Sequence, residues 1–162
     1  RGLGDVYKRQ AYKFTGSQGL HFDRLAEIQR RLPGFPLVMH GSSSVPQDWL
    51  AIINEHGGKI PETYGVPVEQ IQEGIRHGVR KVNIDTDLRL ASTGTIRRFL
   101  AENPSEFDPR KYLGKTIEAM RDICIARYEA FGTSGNADKI NVKSLGVMQV
   151  AYDAGELTPQ VN

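Results

Sequence analysis

Strands alternating with helices predict an α/β protein whose strands run parallel. Three observations carry this. Two short runs, the apolar Pro36-Leu37-Val38-Met39 and the mixed VRKVNI at 79–84, have the length and punctuation of strands. The stretches around them place apolar residues at three- and four-residue spacing, the period of a helix. Each strand also runs straight into a small polar loop, His40-Gly41-Ser42-Ser43-Ser44 after the first and Asp85-Thr86-Asp87 after the second.

The elements follow in order. Phe22, Leu25, Ile28 and Leu32 form an apolar stripe, and Pro33-Gly34 stops that helix. The almost wholly apolar run at 36–39 reads as a strand buried on both faces. Pro46 suits the first turn of the next helix, with Ser43 or Ser44 as its N-cap and Trp49, Ile52 and Ile53 as its inner face. Gly57-Gly58 ends it, and a turn-rich loop covers 59–66. Pro67 opens a helix with Val68, Ile71 and Ile75 inward and Gly78 as its stop. After the second strand, Asp85-Thr86-Asp87 supplies capping chemistry for a helix over roughly 87–101, with Leu88, Ala91, Ile96 and Phe99 facing the core. A turn at Asp108-Pro109-Arg110 leads into a helix to about Phe131, and a weaker helix spans roughly 144–154. In the long helix, Ile117, Met120, Cys124, Tyr128 and Phe131 form a row at helical spacing, so Cys124 reads as a buried apolar residue.

Two strands make a poor parallel sheet by themselves, because both edges are bare. The pattern therefore argues for membership of a larger sheet.

Composition narrows the class. Of 162 residues, 39% are hydrophobic and 25% charged, as in ordinary globular proteins. No apolar stretch is long enough to span a bilayer, and the first ten residues lack the apolar core of a signal peptide, so a cytoplasmic location is the default expectation. The single cysteine excludes an intrachain disulfide and a thiolate zinc cluster. There are 21 basic and 19 acidic side chains; three of the former and one of the latter lie in the first ten residues, leaving 18 against 18. That balance gives no support to nucleic-acid binding. RGLGDVYKRQ at 1–10 has neither helical nor strand period and resembles a translated sequencing-adapter artefact, so the fold is read from 11–162 as one domain.

Both polar loops leave the C-terminal ends of strands, where parallel α/β proteins bind ligands. A Gly/Ser loop lets backbone N–H groups approach an anion, and a helix N-terminus adds favourable potential. The same residues also suit ordinary turns and caps. His40 is either a packed, hydrogen-bonded histidine or a metal ligand; a catalytic zinc needs about three protein ligands, and His21, His56 and His77 do not sit at strand ends. Arg110 is either a solvated charge or a bidentate grip on a phosphate.

The stretches LVMHGSSSVP (37–46), ETYGVPVEQIQEGIRHGVRKVNIDTDLRLA (62–91), FLAENPSEFDPRKYL (99–113) and IARYEAFGTSGNADKI (125–140) closely resemble class II, zinc-dependent fructose-bisphosphate aldolases, above all the subtype associated with the Calvin cycle. The resemblance runs from about Ala11 to Asn162, and the pairing of HGSSS with KVNIDTDLR is specific. It implies the last part of a (β/α)8 TIM barrel, about its final two strands, with added C-terminal helices that pair subunits into a homo-oligomer. It implies reversible aldol cleavage of fructose 1,6-bisphosphate to dihydroxyacetone phosphate and glyceraldehyde 3-phosphate. By the same resemblance His40 is a ligand of Zn2+, Gly41, Ser42, Ser43, Asn83, Asp85 and Thr86 bind the dihydroxyacetone phosphate half, and Arg110 reaches the other phosphate, often across a subunit boundary. The family's aspartate general acid and its other histidine ligands match nothing here: one such histidine belongs just before Tyr12-Lys13-Phe14, where RGLGDVYKRQ stands. The isolated 162-residue chain is therefore expected to be inactive and poorly folded, with no catalytic acid among its own residues. A tagatose- or sedoheptulose-bisphosphate aldolase and a non-catalytic phosphate-binding module are the alternatives.

Overall fold

The structure is a computed structural model, and it describes residues 20–158. The expectations for residues 1–10 and for Tyr12-Lys13-Phe14 lie outside the described residues. The described chain runs α1 (Phe22–Arg31), β1 (Leu37–Met39), α2 (Gln47–Glu55), α3 (Val68–Arg76), β2 (Val79–Val82), α4 (Thr86–Glu102), α5 (Pro109–Ala130), a 3-10 turn at Ala137–Lys139 and α6 (Leu145–Asp153). It is a helix-rich α/β arrangement, as the sequence predicts.

β1 and β2 pair in parallel, with Leu37 opposite Val79, Val38 opposite Lys81 and Met39 opposite Val82. The ladder continues one step further, since the Asn83 N–H donates to the Met39 carbonyl at 3.0 Å. That step fixes the start of the second loop beside the end of the first strand. β1 is not buried on both faces: Val38 is 49% exposed. Its outer side opens into a groove with Leu20, Leu25 and Ile28 along its walls. A strand so apolar and so open is physically half of a layered structure.

The helices bury slightly different faces from those the spacing suggests. In α2 the buried residues are Leu50 and Ile53, with Trp49 and Ile52 half-buried. α4 buries Asp87, Leu90, Ala91, Gly94 and Thr95, while Leu88, Ile96 and Phe99 are half-buried. The shift has a local cause. A Cβ on Gly94 would come within 2.7 Å of the Trp49 ring, so the smallest residue on α4 sits where α2 crosses closest. Val45, Leu50, Ile53 and Leu90 make the core beneath, with Trp49 and Ile60 packed against it.

α4 and α5 form an antiparallel pair. Phe99 and Tyr112 meet at the connected ends, ring centroids 6.4 Å apart, and Asp87 meets Arg127 at the open ends. In α5 the expected apolar row does not face inward. Ile117 is 67% exposed and Tyr128 59%, Cys124 is only half-buried, and the fully buried residue is Thr116. Facing α4 is a row shifted by about a third of a turn, which carries Tyr112, Thr116, Ala119, Ile123 and Arg127. The C-terminal segment follows the same pattern, with Val142 98% and Leu145 91% exposed. α6 starts where the sequence places it, capped by the Ser144 hydroxyl, which accepts from the Val147 N–H.

Candidate functional site

Gly41, at the exit of β1, has φ of +66°, a left-handed turn that glycine adopts without strain. It swings the chain from the strand into Ser42-Ser43-Ser44. From the far side, Gly65 presses against this loop: its Cβ would lie 2.1 Å from the Ser43 carbonyl oxygen, and the Val66 N–H donates to that oxygen at 3.0 Å.

The three serines do three different things. Ser42 is fully buried, and its hydroxyl has no hydrogen-bond partner. The Ser43 hydroxyl oxygen accepts from the N–H groups of Asp85 at 3.1 Å and Thr86 at 3.0 Å. Ser44 donates its backbone N–H at 3.1 Å and its hydroxyl at 2.8 Å to one carboxylate oxygen of Asp87. Neither Ser43 nor Ser44 therefore caps α2, whose N-cap is Pro46 with no side-chain cap bond. The serines reach across to α4 instead. Asp85 makes no side-chain cap of its own helix, and Ser43 takes that role. The two loops are thus a single structure, with the first N–H groups of a 17-residue helix pointed at a hydroxyl oxygen.

His40 and Asn83 lie side by side at the ends of the two strands. The Asn83 amide nitrogen is 2.9 Å from His40 Nδ1, and Lys81 Nζ donates to the Asn83 amide oxygen at 2.6 Å. The lysine orients the amide, and the amide orients the imidazole, leaving Nε2 as the ring atom turned from this contact. His40 is exposed. It is one donor. Among the described residues no group of three or more His, Cys, Asp or Glu side chains is placed to hold a metal ion. The described residues therefore do not make a metal site by themselves, since a catalytic zinc takes about three protein ligands.

Arg110 stands apart from these loops. Its side chain is 88% exposed and grips the Asp108 carboxylate with Nε at 3.0 Å and Nη2 at 2.5 Å. Asp108 also caps α5, accepting from the Arg110 N–H at 3.0 Å. The Arg110 side chain first, and that N–H second, hold the Asp108 carboxyl below the usual carboxylate range. Within α5, about 26 Å of helix at 1.5 Å per residue separates Arg110 from Arg127. Arg127 is the α5 residue that touches the first loop.

Two participants were not apparent from the sequence. Asp87 is fully buried, accepts from Ser44 and from the Val45 N–H at 2.9 Å, and pairs with Arg127 Nη2 at 3.2 Å. Arg127 also donates to the Ser44 hydroxyl oxygen at 2.6 Å. The available signal was positional, because Arg127 falls on the inward row of α5 with Thr116 and Ile123.

A family model described as "Fructose-bisphosphate aldolase class-II" matches residues 3–136. The chain belongs to that family. A fructose-bisphosphate aldolase of Pseudomonas aeruginosa is 72% identical over 155 residues, covering 94% of this chain and 44% of the relative. One from a Nostoc species is 59% identical over 150 residues, covering 91% of this chain and 42% of the relative. One from Xanthobacter flavus is 56% identical over 155 residues, covering 94% and 44%. The chain thus spans less than half the length of these family members. Among the described residues no helix is long and apolar enough to cross a membrane.

Proposed function

We propose that this chain is the C-terminal portion of a (β/α)8 barrel that reversibly cleaves fructose 1,6-bisphosphate, and that it supplies the phosphate-binding end of the site. The observation that carries this is the Ser43 hydroxyl held on the N–H groups of Asp85 and Thr86 at the start of α4. A phosphate oxygen is a stronger acceptor than a hydroxyl and suits a helix N-terminus. Gly41, Ser42 and Ser43 on one loop, and Asn83, Asp85 and Thr86 on the other, are the binding residues in this reading. The backbone of Ser42 serves, since its hydroxyl is buried.

His40 contributes one ligand to a divalent metal, in this family zinc, with Asn83 setting its ring orientation. The remaining ligands and the general acid come from parts of the barrel outside these residues. Arg110 takes the second phosphate of a site in another copy of the protein. Its separation from Arg127 along α5 far exceeds the length of a six-carbon bisphosphate, so it does not reach the loops of its own chain. A homo-oligomer is thereby implied, in keeping with the uncovered apolar side chains of α5 and α6. The location is cytoplasmic, and the pathway is glycolysis or the Calvin cycle.

The test is a chimera in which residues 20–158 replace the matching stretch of the Pseudomonas aeruginosa relative. Cleavage of fructose 1,6-bisphosphate to the two triose phosphates is expected, faster than cleavage of tagatose or sedoheptulose bisphosphate. A folded chimera without cleavage would overturn the assignment. Among the described residues His40 has no group of further ligands around it. One other reading rests on the same two loops, a phosphate-binding module without catalysis. It predicts phosphate-ester binding that zinc titration leaves unchanged.

A further inference from the structure

We infer that Arg127 is a positioning residue for the phosphate-binding loop, acting through Asp87 to hold Ser43, Ser44 and Val45 over the start of α4. The inference rests on reading that loop as the phosphate site. It begins with strain. Val45 has φ of +55°, the left-handed region, which a β-branched residue adopts only when its surroundings force it. Two things force it here: its side chain is buried in the core, and its N–H is held by an oxygen of Asp87. The other oxygen of Asp87 holds both donors of Ser44. Asp87 thus fixes the two residues that follow Ser43, the residue whose hydroxyl covers the Asp85 and Thr86 amides.

Asp87 is in turn held by Arg127, whose Nη2 contacts both the carboxylate and the Ser44 hydroxyl. A buried ion pair is a weak device for stability alone, because desolvation offsets most of the attraction. This one is not even fully satisfied, since the buried Nε of Arg127 has no partner. What the pair does achieve is geometric. It pins the last turn of α5 to a strained loop and to the N-terminus of α4 at one point, which fixes the backbone of the loop beside the Asp85 and Thr86 amides, so that a phosphate oxygen replaces the Ser43 hydroxyl there without the loop shifting.

The chimera described above, carrying Arg127→Met, Arg127→Lys or Ser44→Ala, tests this through the Michaelis constant for fructose 1,6-bisphosphate, the inhibition constant for inorganic phosphate, kcat and the melting temperature. Arg127→Met is expected to raise the Michaelis and inhibition constants together by about tenfold, with kcat within about twofold, the size of one lost charged hydrogen bond. Arg127→Lys, which keeps one charged donor, is expected to recover most of that loss. Ser44→Ala, a small change, is expected to raise both constants about threefold. A lower melting temperature with both constants unchanged would mean that Arg127 only ties two helices together, and the inference fails. If Arg127→Met does not fold, Ser44→Ala decides, and unchanged constants overturn the inference. If the unsubstituted chimera folds but does not cleave, the aldolase assignment falls first and this inference with it.

Discussion

The strand-end loops and the C-terminal helices treat their side chains in opposite ways. Around the buried Asp87 and the half-buried Ser43, polar groups from three parts of the chain are almost all paired. Along α5, α6 and the segment just before α6, large apolar side chains such as Ile117, Tyr128, Val142 and Leu145 stand in solvent. The first region is complete within these residues, held by contacts up to 83 positions apart in sequence. The second has surface of the kind that proteins bury. The difference teaches that polar pairing and apolar burial are separable here: the strand-end loops already pair their polar groups, whereas the C-terminal helices leave apolar faces in solvent.

The largest expected break in the self-contained region is Asp87→Ala. It leaves Arg127 buried without its carboxylate and orphans the Ser44 and Val45 N–H groups. Urea unfolding of the chimera should show a loss of about 3–5 kcal/mol; a loss under about 1 kcal/mol would mean that the network is incidental. Next is Gly65→Ala. Reduced chain entropy in the unfolded state would favour alanine by under about 1 kcal/mol. The clash with the Ser43 carbonyl outweighs it, so a net loss of about 1–3 kcal/mol is expected in the same measurement.

Ser42→Ala should go the other way. It removes a buried hydroxyl that has no partner, so stability should hold or rise by up to about 1 kcal/mol. A clear loss would show that the hydroxyl does find a partner. In the open region, Ile117 is 67% exposed, so Ile117→Lys should change the stability of a single chimera subunit by no more than about 0.5 kcal/mol. In the longer chimera the same substitution should shift sedimentation toward smaller species, and unchanged sedimentation would remove α5 from any subunit contact.

The smallest effect is in acid. Glu27 is lowered from 4.5 to about 2, chiefly by its hydrogen bond to Arg30 and then by that to Arg31. A depressed carboxylate contributes stability above its unfolded value and loses it as pH falls toward the folded one. The contribution should therefore fade between about pH 4.5 and 2, and Glu27→Gln should flatten that part of the acid titration. The Glu27 side chain is 44% exposed and solvent screens its pairs, so the change is slight.

Much of this was legible in the sequence, for identifiable reasons. Pro33-Gly34, Gly57 and Gly78 punctuate the elements where expected, and Ser144 caps α6, because these signals depend only on local backbone chemistry. The two strand-end loops were legible as a pair for the same reason. The faces were not. Leu50 and Leu90 are buried where Ile52 and Ile96 fit the period as well, because Gly94 and Trp49 set the crossing of two helices. Ser43 and Ser44 looked like caps for the next helix; Ser43 is a cap, but for a helix more than 40 residues away, and Ser44 bonds the Asp87 carboxylate instead. Asp87 was read as one of a capping cluster, and nothing local marks it as the acceptor for Ser44, Val45 and Arg127. Nor does spacing say that the apolar row of α5 faces outward.

The Ser43 hydroxyl on the Asp85 and Thr86 amides has a further consequence. The helix start is already supplied with an oxygen, so an incoming molecule must displace an internal competitor. A neutral alcohol would exchange one hydroxyl for another with little gain, whereas a charged oxygen forms hydrogen bonds roughly twice as strong. On the proposed reading, the loop would set a threshold that a neutral sugar hydroxyl does not pass and a phosphate oxygen does.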